Sequence, residues 1–231
     1  MGGKALRTKS ERLKEGKDPR TEKIRKEVWI MAIKTVIFDI GNVLTEFSWQ
    51  RHFKALGFEG QVFERVADAT VRSPIWGEFD RGRDDSEILA AFIERDPEME
   101  KEIRLMFRNI GPTLSPCDYA IPWIMDLKKR GFRTLILSNL SSKTVHECHR
   151  CLKFMNYVDG GILSYMEGVI KPEREIYDRL IERYFINPAE AVFIDDTRKN
   201  IDMAIELGLR GIVFENYEQG HEALEELLKN E

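Results

Sequence analysis

The chain has 231 residues, of which 42% are hydrophobic and 33% charged, with a formal net charge of -4. That is enough apolar material for one sizeable core with room for a small inserted domain, and the mild acidic balance excludes a global electrostatic partnership with nucleic acid or an anionic membrane surface. Three cysteines (Cys117, Cys148, Cys151) are too few for a disulfide scaffold and fit a reducing compartment, and no apolar run approaches the roughly 20 residues of a membrane span, so the chain reads as cytoplasmic, with partners to be found from its sites.

Residues 1–30 are polar, of mixed charge and almost free of large apolar groups until Val28. Such a segment cannot bury enough apolar area to offset the entropy of ordering and reads as a mobile tail or a solvated helix. Met31 stands directly before the first strand, so the upstream stretch is an extension or an artefact of the assigned start. "TVIFDI" then reads as a buried strand that ends on Asp39. Roughly ninety residues separate it from the next such run, far beyond an ordinary loop. Within that interval "FKALGF", "VFERVADATV", "DDSEILAAFIERD" and "EMEKEIRLMFRNI" carry helical periodicity broken at Gly57, Gly77, Gly82 and Pro97. These predict a helical cap over 47–114. Its segment "SPIWGEFDRGRDD" sets an aromatic residue, Trp76, close to Asp80 and Arg81.

"CDYAIPWIMDLKKRGF" closes with three cations and Gly131, the signature of a helix C-terminus. "RTLILSN" is a second buried strand and ends on Ser138 and Asn139. "HECHRC" lacks the second ligand pair of a zinc site and reads as packed helix residues. Lys171 precedes a helix expected near Pro172, and by itself reads as a surface residue as readily as a functional one. "AVFIDD" is a third buried strand ending in Asp195 and Asp196, and "RGIVFEN" a fourth, with the helical "REIYDRLIERYF" and "NIDMAIELGL" before them. The alternation predicts an α/β fold, a doubly wound (Rossmann-like) parallel sheet built from 31–46 and 115–231 with the cap inserted. In such a sheet, ligands bind beyond the carboxyl ends of the strands, where Asp39, Ser138, Asn139, Asp195 and Asp196 would converge. Adjacent acids at a strand end are costly to hold together unless a cation neutralises them, and hard oxygen ligands suit Mg²⁺.

In that order, "FDIGNVL", "LILSN", "GVIKPEREIY" and "VFIDDTRKNIDMAIELG" resemble the four motifs of the haloacid dehalogenase-like superfamily, over about Lys34 to Val213. The resemblance implies a Mg²⁺-dependent phosphatase of small phosphorylated metabolites. Asp39 would be the nucleophile, forming an aspartyl phosphate that water hydrolyses, and Lys171 its cationic partner. Asp39, the Gly41 carbonyl, Asp196 and Asp195 would hold the metal. Ser138, Asn139, Asn42 and Lys171 would meet phosphate oxygens, and the cap would close over the site and choose the substrate, with "SPIWGEFDRGRDD" as the expected contact: Trp76 would stack on a sugar, and Asp80 and Arg81 would reach hydroxyls or phosphate.

One position departs from the family pattern. Most phosphatases of the superfamily carry a second Asp two residues after the nucleophile, whose carbonyl binds the metal and whose side chain protonates the leaving group; Gly41 retains only the first role. A substrate whose alcohol leaves readily, such as a hexose 1-phosphate, would need that help least, and the pattern is similar to a bacterial branch related to α-D-glucose-1-phosphate phosphatase. Two alternatives stand beside this reading. A dehalogenase-type hydrolase dispenses with the second Asp but needs no metal, so the acid pair speaks against it. A catalytically silent binding protein would not be expected to keep Asp39, Ser138, Lys171 and Asp196 together.

Overall fold

The computed structural model describes residues 32–229; the expectations for residues 1–30 and for Met31 lie outside them. The first apolar run forms β1 (Thr35–Phe38), with all four residues buried. Beyond Asp39 the chain winds around the carbonyl of Ile40, which accepts hydrogen bonds from the N–H groups of Leu44 (3.0 Å) and Thr45 (2.9 Å) and from the Thr45 hydroxyl (3.0 Å). It then leaves the sheet along β2 (Thr45–Phe47). Helices α1 (Trp49–Ala55), α2 (Gly60–Ala69), α3 (Ile75–Asp80), α4 (Asp85–Arg95) and α5 (Glu100–Arg108) follow. β3 (Leu114–Pro116) returns antiparallel beside β2, so the insert is entered and left through one two-stranded stem.

The remainder alternates helix and strand: α6 (Ala120–Lys129), β4 (Arg133–Ser138), α7 (Ser142–Glu147), β5 (Gly161–Leu163), α8 (Ser164–Glu167), α9 (Arg174–Arg183), β6 (Ala191–Asp195), α10 (Arg198–Glu206), β7 (Arg210–Val213) and α11 (Tyr217–Lys229). The sheet has the order β5-β4-β1-β6-β7 with every neighbouring pair parallel. Successive side chains of a strand point to opposite faces, and both faces are covered. Val36, Phe38, Ile136, Val192 and Ile194 pack with Trp123, Ile124 and Leu224 on one side. Ile37, Leu135, Leu137 and Phe193 pack with Ile176, Leu180, Ile201 and Ala204 on the other. Two-sided burial is why these strands are apolar at consecutive positions instead of alternate ones. From β1 the chain builds outward through β4 to β5, then crosses over to β6 and β7, which leaves the switch point of the topology at β1.

The insert has its own apolar cluster, centred on Phe53, Val66, Phe79, Ile88, Phe92, Ile103 and Phe107. It rests on the α/β body through the end of α3. Ser164 Oγ donates to the Asp80 carbonyl at 2.6 Å, and Arg81 forms an ion pair with Glu173. Gly82 has φ +89°, and a Cβ there would lie 2.6 Å from the Tyr165 carbonyl oxygen, so the close approach requires glycine. The breaks expected at Gly57, Gly82 and Pro97 follow α1, α3 and α4, whereas Gly77 does not interrupt a helix but sits inside α3, against Ile170. Helix α9 starts at Arg174, two residues beyond Pro172. No helix among the described residues is long and apolar enough to cross a membrane.

Candidate active site

The carboxyl ends of β1, β4 and β6 bring Asp39, Ser138 and Asp195 together because parallel pairing aligns their registers: Phe38 pairs with Ile136 on one side and with Ile194 on the other. Lys171 joins them from the loop before α9. Its side chain is buried, with Nζ 2.7 Å from Asp39 Oδ1 and 2.6 Å from Asp195 Oδ2. It is therefore not a surface lysine. Burial pulls its ammonium group down, but the charges of Asp39 and Asp195 outweigh that and hold it above its ordinary value, so it stays cationic.

Asp195 is fully enclosed and surrounded by donors. Besides Lys171 it accepts from the Thr197 N–H at 2.8 Å and from Asn200 Nδ2 at 2.9 and 3.0 Å. The Tyr177 hydroxyl donates to the Asn200 carbonyl at 2.9 Å, which ties α9 to this corner. Asp196 is half-buried beside it and accepts from Asn42 Nδ2 at 2.8 Å. A cleft lined by Asn42, Glu46, Tyr119, Asp196 and Tyr217 opens Asp196 to solvent.

Asp39, Asp195 and Asp196 each offer a carboxylate oxygen within 4.8 Å of the others; among the described residues they form the group of three suited to a metal ion. Asp39 Oδ1, although ion-paired, lacks a well-directed hydrogen bond. Three carboxylates against one ammonium, all oxygen donors with one acceptor unsatisfied, fit a hard divalent cation such as Mg²⁺. Gly41 lies in the turn beside them, and a Cβ built on it would meet nothing within 4 Å. The His146 to Cys151 segment contributes nothing to such a site: Cys148 and Cys151 both point at the Leu114 carbonyl.

Several expected contacts are placed differently. The Asn139 side chain is spent on the main chain of Lys171, accepting from its N–H at 2.7 Å and donating to its carbonyl at 3.0 Å, so it braces the lysine instead of facing a phosphate. Asn42, with φ 56°, bridges Asp196 and the Phe47 N–H in the same bracing way. Trp76 packs among Phe47, Phe79 and Phe92 as part of the insert interior. Arg81 is engaged with Glu78 and Glu173 and acts as a clamp between insert and body. Of the three substrate contacts expected from the insert, Asp80 alone reaches the site. Its carboxyl faces the Ser141 N–H and lies within electrostatic range of Asp39 and Lys171.

Burial raises Asp39 to about 7, against the opposing pull of Lys171 and with a further push from Asp195. Burial likewise raises Asp80 to about 8, with the Asp39 charge adding to it. A carboxyl raised in the folded state contributes stability that is complete below the unfolded value near 4 and is lost as pH rises through the folded value. Without metal, melting temperature is therefore expected to fall between pH 6.5 and 8.5. His52, held below its ordinary value by burial, works in the opposite sense only below that window. Replacing Asp39 with Asn should flatten the fall, and Mg²⁺ should raise the melting temperature of the wild type more at pH 8.5 than at pH 6, because binding requires ionised Asp39. Melting curves across that range check this; a Mg²⁺ effect larger at pH 6 would contradict it.

Residues 33–208 match the family described as haloacid dehalogenase-like hydrolase. Among curated proteins, a D-ribitol-5-phosphate phosphatase of Bacteroides thetaiotaomicron is 30% identical over 202 residues, covering 80% of this chain and 93% of the relative. A sesquiterpene phosphatase of Aspergillus oryzae is 25% identical over 180 residues, covering 78% and 88%. Among solved structures, a HAD family enzyme of B. thetaiotaomicron in complex with magnesium and inorganic phosphate superposes with a TM-score of 0.62 at 24% identity, covering 80% of this chain and 98% of that one. At that identity the superposition carries the fold alone.

Proposed function

The chain belongs to the haloacid dehalogenase-like hydrolases, and on that premise we propose that it is a Mg²⁺-dependent phosphatase of a small phosphorylated metabolite, working through an aspartyl phosphate on Asp39. The observation that carries this reading is the Asp39–Lys171–Asp195 arrangement, with Asp196 alongside, at the switch point of the sheet. Asp39, Asp196, Asp195 and the Gly41 carbonyl are the groups to hold Mg²⁺, which supplies positive charge to offset the repulsion between a carboxylate and a phosphate. Asp39 attacks phosphorus, Lys171 stabilises the charge gathered on the phosphoryl oxygens, and Ser138, beside Asp39, donates to one of them. The helices over 47–114 serve as the cap that covers this site and selects the alcohol.

Two features favour the phosphatase over the dehalogenase reading. Three carboxylates crowd a position that a metal-free hydrolysis has no use for, and two of the relatives that span most of this chain are phosphatases by name. Their alcohols, a terpene and a sugar alcohol by name, differ enough to indicate the shared step and not the substrate. For this chain we favour a sugar phosphate, a hexose 1-phosphate in particular, because residue 41 offers no acid to the leaving oxygen and an anomeric oxygen needs less help. The free thiols of Cys117, Cys148 and Cys151 suit a cytoplasmic setting.

Phosphate release from α-glucose 1-phosphate, glucose 6-phosphate and ribitol 5-phosphate, each with Mg²⁺ and with chelator, tests this proposal. Metal-dependent turnover with the 1-phosphate preferred is expected. Turnover that survives chelation would overturn the metal assignment. A preference for the 6-phosphate would overturn the anomeric argument.

A further inference from the structure

Expelling an alcohol from a phosphate monoester leaves an alkoxide unless a proton arrives as the bond breaks, and a positioned donor is typically worth about 10²–10⁴-fold. The groups at the strand ends are poor donors. Lys171 is locked between two carboxylates, Asp195 is saturated with hydrogen-bond donors, and Asp196 belongs to the acidic cluster. The histidine at residue 52 is buried in the insert, and Tyr177 is turned to the Asn200 carbonyl.

Asp80 is different. It comes from the insert, at the end of α3, and lies within electrostatic range of Asp39 and Lys171. Two neighbours fix its position. Its carbonyl accepts from Ser164 Oγ, which in turn accepts from the Leu140 N–H at 2.9 Å, and its carboxyl faces the Ser141 N–H. Leu140 and Ser141 directly follow Ser138 and Asn139, so Asp80 is referenced to the end of β4, where a phosphate would be held. It is not one of the three carboxylates gathered for a metal.

Resting on the phosphatase reading, we propose that Asp80 is the catalytic acid and base of this enzyme, brought by the insert to the place that residue 41 leaves without one. In the first step an Asp39 oxygen bonds to phosphorus and the bond from phosphorus to the leaving oxygen breaks. Its electron pair stays on that oxygen, which takes the Asp80 proton, and the alcohol departs. In the second step the Asp80 carboxylate takes a proton from water as the water oxygen bonds to phosphorus. The Asp39–phosphorus linkage breaks, returning Asp39 as carboxylate, Asp80 as acid, and inorganic phosphate. Burial, the leading influence on Asp80, favours its protonated form, and the charge of Asp39 adds to that.

The acid acts only while α3 is docked, so the Arg81–Glu173 clamp and the close contact at Gly82 are what place the proton. Chemistry on an open insert would proceed without the donor.

The test is the dependence of kcat/KM on the leaving group, over a series from p-nitrophenyl phosphate to alkyl and sugar phosphates, with Mg²⁺ present. Wild type is expected to vary less steeply along the series than the Asp80 variants do. Asp80→Asn should lose about 10²–10⁴-fold on the alkyl esters and sugar 6-phosphates, whose oxygens need the proton most, less on a hexose 1-phosphate, and only a few-fold on p-nitrophenyl phosphate, whose oxygen does not need it. Asp80→Ser should show the same steepened dependence, and because the docking bond to Ser164 is made by the Asp80 main chain, the two variants should fold alike. A uniform loss across the series in either variant, with wild type active, would overturn the role of Asp80 and leave the phosphatase reading standing. A wild type without metal-dependent phosphatase turnover would overturn both.

Discussion

Asp39→Asn is expected to lower phosphate release at least about 10⁴-fold, the scale seen when an enzyme loses its covalent nucleophile. The amide is nearly the same size as the carboxylate, so packing at the end of β1 should hold, yet its oxygen is too weak a nucleophile to attack phosphorus. The variant should also separate catalysis from stability. Wild-type Asp39 is raised to about 7 by burial, so above that pH the metal-free protein holds an ionised, poorly solvated carboxylate in contact with Asp195 across Lys171. Asn removes that burden, and Lys171 keeps its bond to Asp195 at 2.6 Å. The metal-free variant is therefore expected to melt higher than wild type at pH 8.5 while being inactive. Calorimetry beside the phosphate-release assay reads both quantities. Residual activity within about tenfold of wild type would place the nucleophile elsewhere.

That trade is visible in the strand and hidden in what surrounds it. β1, β4, β6 and β7 were legible because a strand covered on both faces must be apolar at successive positions, and β1, β4 and β6 end where polar groups begin. Asp39, Ser138, Asp195 and Asp196 could be placed at one edge for the same reason, since parallel strands align their carboxyl ends. β5 was not legible: its three residues start at Gly161, and it exists because Ile136 to Ser138 of β4 offer it a ladder. The β2–β3 stem joins segments nearly seventy residues apart, and neither has a local pattern strong enough to declare itself. Helix α3 was masked by Gly77, which looks like a break in one dimension and is a contact with Ile170 in three. The same limit applies to side chains. A sequence motif can place Asn139 beside a phosphate, but it cannot show that both ends of its amide are already committed to Lys171. Nor can it show that, of Trp76, Asp80 and Arg81, the acid is the residue that α3 turns toward Asp39.

Lys171→Met is expected to be the most damaging single change to both stability and turnover. The methionine fills most of the lysine's volume, so the experiment removes a charge and little packing. Asp39 and Asp195 then face each other in a buried site with no cation between them. Breaking a buried ion pair by deleting one partner typically costs about 3–5 kcal/mol, a large share of the roughly 5–15 kcal/mol that stabilises a native protein. The cost must depend on pH in a defined sense: without Lys171 the Asp39 carboxyl holds its proton more tightly, so the loss should be smallest near pH 5 and grow toward pH 8.5. Mg²⁺ can replace the missing charge between the carboxylates, and it should recover part of the melting temperature at high pH. It should not recover turnover, because the ammonium that meets the phosphoryl oxygens is gone, and the expected activity loss is on the order of 10³-fold or more. Chemical denaturation at pH 5 and 8.5, with and without Mg²⁺, beside phosphate release, resolves the two roles. A variant as stable as wild type at pH 8.5 without metal would mean that Asp39 is already neutral there, and the electrostatic account of the site would have to be rebuilt around its protonated form.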